Sequence, residues 1–119
     1  AKPDARSHHV VAYYFHTTQR CASCRAIEAN AHEAIERGFA AELGDGRLEW
    51  KVVNLEVGDN AHFAKDFGLY TKSLVLVDEV AGKPAKWRNL EKVWQLLQDK
   101  PKFLEYVRRE TRQFLDERS

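Results

Sequence analysis

The chain has 119 residues, enough for one sheet-and-helix core and too few for two. Hydrophobic residues make up 44% and aromatics 11%, ordinary for a globular protein, and no apolar run approaches the roughly 18 residues that a membrane span requires. With 19 Lys+Arg against 18 Asp+Glu the formal charge is +1, so no strong field draws the chain to nucleic acid or to an anionic membrane.

The sequence starts at Ala1 and contains no methionine, which predicts that an upstream piece has been removed, by signal cleavage or by trimming. Residues 1–7 read as a polar leader and residues 8–119 as one domain. Paired cysteines occur in reducing and oxidising compartments alike; placement outside the cytoplasm is favoured over the cytoplasm.

Val10-Val11-Ala12-Tyr13-Tyr14-Phe15 is an unbroken apolar and aromatic run, which predicts a central strand covered on both faces. After Thr17-Thr18-Gln19, residues Ile27, Ala31, Ala34, Ile35 and Phe39 recur at helical spacing until Gly44-Asp45-Gly46, with Gly38 a weak point. Residues 48–55, around Trp50, Val52 and Val53, predict a second strand and complete a βαβ unit. Gly58-Asp59-Asn60 offers capping chemistry for a short helix that carries Phe63 and Phe67 four apart and ends near Gly68.

Leu74-Val75-Leu76-Val77 predicts a third strand, and Ala81-Gly82-Lys83-Pro84 a turn into a fourth, antiparallel strand around Trp87. Two amphipathic stretches follow, Leu90-Val93-Trp94-Leu97 and Phe103-Leu104-Val107-Phe114-Leu115, divided by Asp99-Lys100-Pro101. In the second, Arg108, Arg109, Glu110 and Arg112 occupy the polar side, as on a helix docked on a sheet. Trp50, Trp87 and Trp94 read as packing residues.

The only two cysteines stand as Cys21-Ala22-Ser23-Cys24, where the first apolar run has ended and the helical pattern begins. Disulfide exchange needs a thiolate, and a cysteine at a helix N-terminus has its thiolate stabilised by orphan backbone N–H groups and by the positive end of the helix dipole. Arg20 and Arg25 flank the motif with positive charge, and Ser23 offers a hydroxyl. Residues i and i+3 of a first turn share a side and can close a small ring. Cys21, ahead of the turn, is the expected attacking nucleophile, and Cys24, one turn inside, the resolving thiol.

The order strand, Cys-x-x-Cys helix, strand, short helix, strand, hairpin strand, C-terminal helix resembles the thioredoxin fold over about residues 8–97. Trp50-Lys51-Val52-Val53-Asn54-Leu55, Gly58-Asp59-Asn60 and Phe67-Gly68-Leu69 parallel the stretch that runs to the loop facing the active site. The chain resembles, more narrowly, small thioredoxin-like proteins of which some are described as accessory subunits of a nitrophenyl-compound nitroreductase. The resemblance implies an α/β class with a central mixed four-stranded sheet flanked by helices. The first strand and helix of thioredoxin would be lacking and an extra C-terminal helix present. It also implies a thiol-disulfide oxidoreductase that acts, as a monomer, on a protein thiol or disulfide partner without a cofactor.

The departures from the family are specific. Its buried acid falls at Phe15, with His16 the nearest substitute, and the tryptophan before the first cysteine is Arg20. In place of the cis-proline that faces the motif the chain reads Tyr70-Thr71-Lys72-Ser73, so Lys72 and Ser73 are expected to border the site. Metal binding or a non-catalytic interaction module is the alternative function, but His8, His9, His16, His32 and His62 show no diagnostic ligand spacing and no metal ligand is assigned.

Overall fold

The computed structural model describes residues 8–19, 21–69 and 72–117. The expected leader, Arg20 and the Tyr70-Thr71 pair lie outside the described residues. Strand β1 spans His8–His16, and the continuous apolar run explains its place inside the sheet, with residues 10–15 buried. It pairs in parallel with β2, Leu48–Asn54, in the register Val10 to Leu48 through His16 to Asn54. Its other edge pairs antiparallel with β3, Ser73–Val80, with Phe15 opposite Ser73. Strand β4, Lys83–Asn89, closes the order β2-β1-β3-β4.

Helix α1, Ala22–Gly38, crosses from β1 towards β2 and buries Cys24, Ile27, Ala31, Ala34 and Ile35. The helical pattern expected to continue to Gly44 is interrupted at Phe39, whose backbone (φ −137°, ψ 36°) leaves the helical region. A short helix α2, Ala40–Asp45, follows and ends at Gly46 in the left-handed conformation (φ 87°). The kink turns Phe39 inward, where it is buried with Ile35 and Leu48.

Helix α3, His62–Asp66, sits on the opposite sheet face from α1 and packs Phe63 and Phe67 against Tyr13 and Phe15. The β3–β4 hairpin closes through Ala81 and Gly82 alone, both at positive φ (54° and 79°), so Lys83 and Pro84 already belong to the strand. Pro84 is tolerated there because β4 is an edge strand with a register irregularity beside Glu79. After β4, the first of the two tail stretches forms only a 3₁₀ turn, Glu91–Trp94. The C-terminal helix α4, Lys100–Glu117, then lies beside α1 and buries Phe103, Tyr106, Val107, Phe114 and Leu115.

The sheet thus has a large core under α1 and α4 and a smaller one under α3. Of the tryptophans, Trp50 stacks on His32 (5.1 Å between centroids, 9° between planes) and packs on the large core. Trp87 and Trp94 are not core residues: Trp87 meets Phe67 edge-on at 5.2 Å but stays 46% exposed on edge strand β4, and Trp94 stays 36% exposed at the end of its 3₁₀ turn. No helix among the described residues is long and apolar enough to cross a membrane.

Candidate redox site

Cys21 is the residue at which strand-like backbone turns into helix. Its φ and ψ of −108° and 167° are extended, and it caps α1: the Cys24 N–H donates to Cys21 Sγ at 3.1 Å and the Arg25 N–H to the Cys21 carbonyl at 3.0 Å. The sulfur therefore stands where a serine or aspartate oxygen usually satisfies the first orphan amide. No acidic residue occupies the first turn, so the positive end of the helix faces that sulfur uncompensated.

The two cysteines are joined as a disulfide, with Cα atoms 5.1 Å apart, within the range that needs no backbone rearrangement. Their environments differ. Cys21 is exposed, with Ala22 and Ser23 beside it, whereas Cys24 is 1% exposed and packed under the first turn. The Tyr14 hydroxyl reaches up from β1 and donates to the Cys24 carbonyl at 2.8 Å, tying the turn to the centre of the sheet. The geometry allows one sulfur to meet a large partner while the other stays screened.

Of the flanking residues, Arg25 is exposed on α1, Arg20 lies outside the described residues, and Lys72 is half-buried at the start of β3. Ser73 is buried and lies opposite Phe15 in the β1–β3 register, at the end of the sheet from which the cysteine loop leaves. Phe15 is wholly buried among Tyr13, Phe63 and Phe67, an apolar surrounding. Among the described residues every peptide bond is trans. His16 is buried, and its Nδ1–H donates to the Thr17 carbonyl at 2.8 Å, since a carbonyl can only accept.

Sequence reasoning missed the clamp that fixes the loop before Cys21. The Glu56 carboxylate accepts from the Thr18 N–H at 3.0 Å, and the Asn54 amide donates to the Thr18 hydroxyl at 3.2 Å. Asn54 Oδ1 also accepts from the Glu56 N–H at 2.9 Å, and the Asn60 amide donates to the Asn54 carbonyl at 3.0 Å. Bonding to Thr18 holds Glu56 below the usual carboxylate range, with Lys72 adding a smaller pull in the same direction. The signal was present as two asparagines and a glutamate just past a strand end, residue types that hydrogen-bond local backbone.

Among the described residues no group of three or more His, Cys, Asp and Glu gathers in a metal-binding arrangement. His32 is turned away along α1, stacked on Trp50 and 3.3 Å from Glu36.

No family model and no curated protein matches the chain. Among solved structures it is similar to the thioredoxin of Fasciola hepatica, at 19% identity over 82% of this chain and 85% of that one, with a TM-score of 0.45. It is also similar to a chloroplastic thioredoxin z, at 16% identity over 84% of each chain, with a TM-score of 0.44.

Proposed function

We propose that residues 8–119 form one thioredoxin-like domain that exchanges dithiol and disulfide with a protein partner, Cys21 attacking and Cys24 resolving. The observation that carries this reading is the asymmetry of the pair: an exposed sulfur held at a helix N-terminus and a buried one joined to it as a disulfide. A cap that accepts an amide hydrogen bond accepts it more strongly as a thiolate, so the helix stabilises the reactive form.

In the reducing direction the Cys21 thiolate attacks one sulfur of a partner disulfide and expels the other as a thiolate, leaving a mixed disulfide. Cys24, as thiolate, then attacks Cys21 Sγ. The Cys21–Cys24 bond forms, the second partner sulfur leaves, and two electrons have passed from the pair to the partner. The reverse sequence oxidises a partner dithiol. Arg25 and Arg20 favour the Cys21 thiolate by charge, Ser23 offers a hydroxyl to it, and Lys72 and Ser73 border the site. With Phe15 apolar, His16 stands as the nearest substitute on β1 for the acid that thioredoxins carry there. The protein works as a monomer, and a nitroreductase is one partner to try, from the narrower sequence resemblance.

Cys24→Ser is expected to accumulate a mixed disulfide through Cys21 with a model disulfide protein, visible as a mass adduct, and Cys21→Ser is not. Trapping by Cys21→Ser alone would reverse the roles. Equilibration in graded glutathione buffers is expected to show one two-electron transition between roughly −120 and −270 mV. A pair that stays oxidised throughout would mark a structural staple; one that never closes and carries metal would mark a metal site.

A further inference from the structure

Away from the cysteines, an open cavity of about 660 Å³ lies where α4 passes the C-terminal end of α1, within the size range of small-molecule sites. Gly38, Phe39 and Pro101 form an apolar wall, and three arginines, Arg108, Arg109 and Arg112, face it. Glu105, exposed, is the one carboxylate of the lining among the described residues.

The three guanidinium groups are not equivalent. Arg112 is committed: it bonds Glu42 at 2.9 Å and stacks over the Phe39 ring at 4.8 Å. Arg109 lies over Tyr106 at 5.9 Å and only brushes Glu110, at 4.0 Å, with most of its side chain exposed. Arg108 is half-buried, and its Nε is buried without a hydrogen-bond partner among the described residues. The carboxylate whose charge it feels, Glu33, is already held by Lys100 at 3.1 Å and Arg37 at 3.5 Å. The Arg108 stem lies so close to Gly38 that a Cβ there would come within 3.2 Å of its Cγ, so the glycine lets the side chain lie along the wall.

Arg108 Nε is sealed from solvent, so it is the terminal nitrogens of Arg108, a residue of the lining, that meet an acceptor in the cavity. The fork geometry of arginine matches phosphate, and Arg109 adds a second charge at the same mouth. A second hollow of about 240 Å³, lined by Lys92, Lys102 and Tyr106, shares Arg109 and Glu105 with the first and extends the cationic surface. The cavity is larger than a lone phosphate needs, and its wall of Phe39 and Pro101 suits an organic moiety. We propose that this cavity binds a phosphate-bearing organic molecule, with Arg108 and Arg109 gripping the phosphate. The site stands independently of the redox reading: it lies at the far end of α1, about 25 Å from Cys21 by the rise of a 17-residue helix.

The test is calorimetric titration of the full chain with ADP and with pyrophosphate, using citrate as a non-phosphate polyanion. Saturable one-to-one binding of ADP is expected, the same before and after reduction of the disulfide and weakened at least about tenfold in Arg108→Gln and in Arg109→Gln. Should Arg108→Gln fail to fold by circular dichroism, the exposed Arg109→Gln variant carries the test. Absence of saturable binding at millimolar ADP would overturn the proposal and leave Arg108 as a complement to the α1 C-terminal dipole. Binding undiminished in the folded arginine variants, or citrate bound as tightly as ADP, would overturn it as well. Flotation with phosphatidic-acid vesicles in place of ADP binding would move the phosphate source to a lipid headgroup and refute the soluble ligand.

Discussion

The cap formed by Cys21 Sγ can be measured apart from the disulfide. In a Cys24→Ser background no ring closes, and residue 21 can be compared as Ser and as Ala. Serine retains an acceptor for the residue-24 amide that Sγ now satisfies at 3.1 Å, whereas alanine leaves that amide without a side-chain partner. Replacing an N-cap acceptor by alanine costs about 1 kcal/mol, in a range of roughly 0.5 to 2. An unfolding entropy of about 2.1 cal/mol/K per residue over 119 residues comes to about 0.25 kcal/mol/K, so the Ala variant is expected to melt about 4 °C below the Ser variant. Thermal and urea unfolding followed by circular dichroism would show it as a shift in midpoint at unchanged m-value. Equal stability of the two variants would refute the claim that the sulfur position caps α1, and with it the electrostatic account of Cys21.

Three further outcomes follow from the geometry. Ala81 stands at φ 54° ahead of Gly82, and Ala81→Asn places a residue tolerant of that region there, so urea unfolding should show about 0.5–1 kcal/mol of added stability. Asn54→Ala removes the hydrogen bonds to Thr18 and to the Glu56 amide, and should cost about 1–2 kcal/mol and speed amide exchange at Thr18. On the acid side, pairing lowers the pKa values of Glu33, Glu56 and Glu117, so their stabilisation is complete above about 4.5 and is lost as pH falls through the lowered values. On the alkaline side, burial and then the charge and hydrogen bond of Glu79 raise the Tyr13 pKa above its usual 10. The unfolded chain therefore ionises first and stability should fall above pH 10, less steeply in Tyr13→Phe. Urea midpoints across pH would check both limbs; constant midpoints from pH 7 down to 3 would contradict the acid assignment.

Much of this arrangement was legible in the residues because the signals were local. A short apolar run rich in valine, tyrosine and phenylalanine reads as an interior strand, and a Cys-x-x-Cys between it and a helical period places the pair at the helix start. The break at Phe39 was marked only by Gly38, because the burial of Phe39 in the large core that goes with it is tertiary and has no local spacing. The 3₁₀ turn at 91–94 had helical apolar spacing but only a few residues before Pro101 restarts the chain, too short to hold an α-helix on packing alone. The exposure of Trp87 follows from its place on an edge strand under a helix of five residues, which a strand-level pattern does not encode. Likewise the Glu56–Thr18 clamp spans 38 positions, and side-chain pairs that far apart leave no spacing to read.

The charge balance around Cys21 sets the sense of one last expectation. The disulfide is neutral and the dithiol carries the thiolate, so every group that favours the thiolate stabilises the reduced state and raises the midpoint potential. Arg25 is exposed at the first turn of α1, so any effect of its charge on the sulfur is screened by water. An exposed interaction of about 0.4 kcal/mol, at 30 mV for each 1.4 kcal/mol of a two-electron couple, corresponds to about 9 mV. Arg25→Gln should therefore lower the midpoint by about that amount in low-salt glutathione buffer, and the difference should shrink towards zero as salt is added. A rise in the midpoint, or a fall of the same size at high salt, would mean that Arg25 acts through the stability of the turn and not through the thiolate. The helix terminus, with Arg20 and Lys72, would then be left as the electrostatic source at the site.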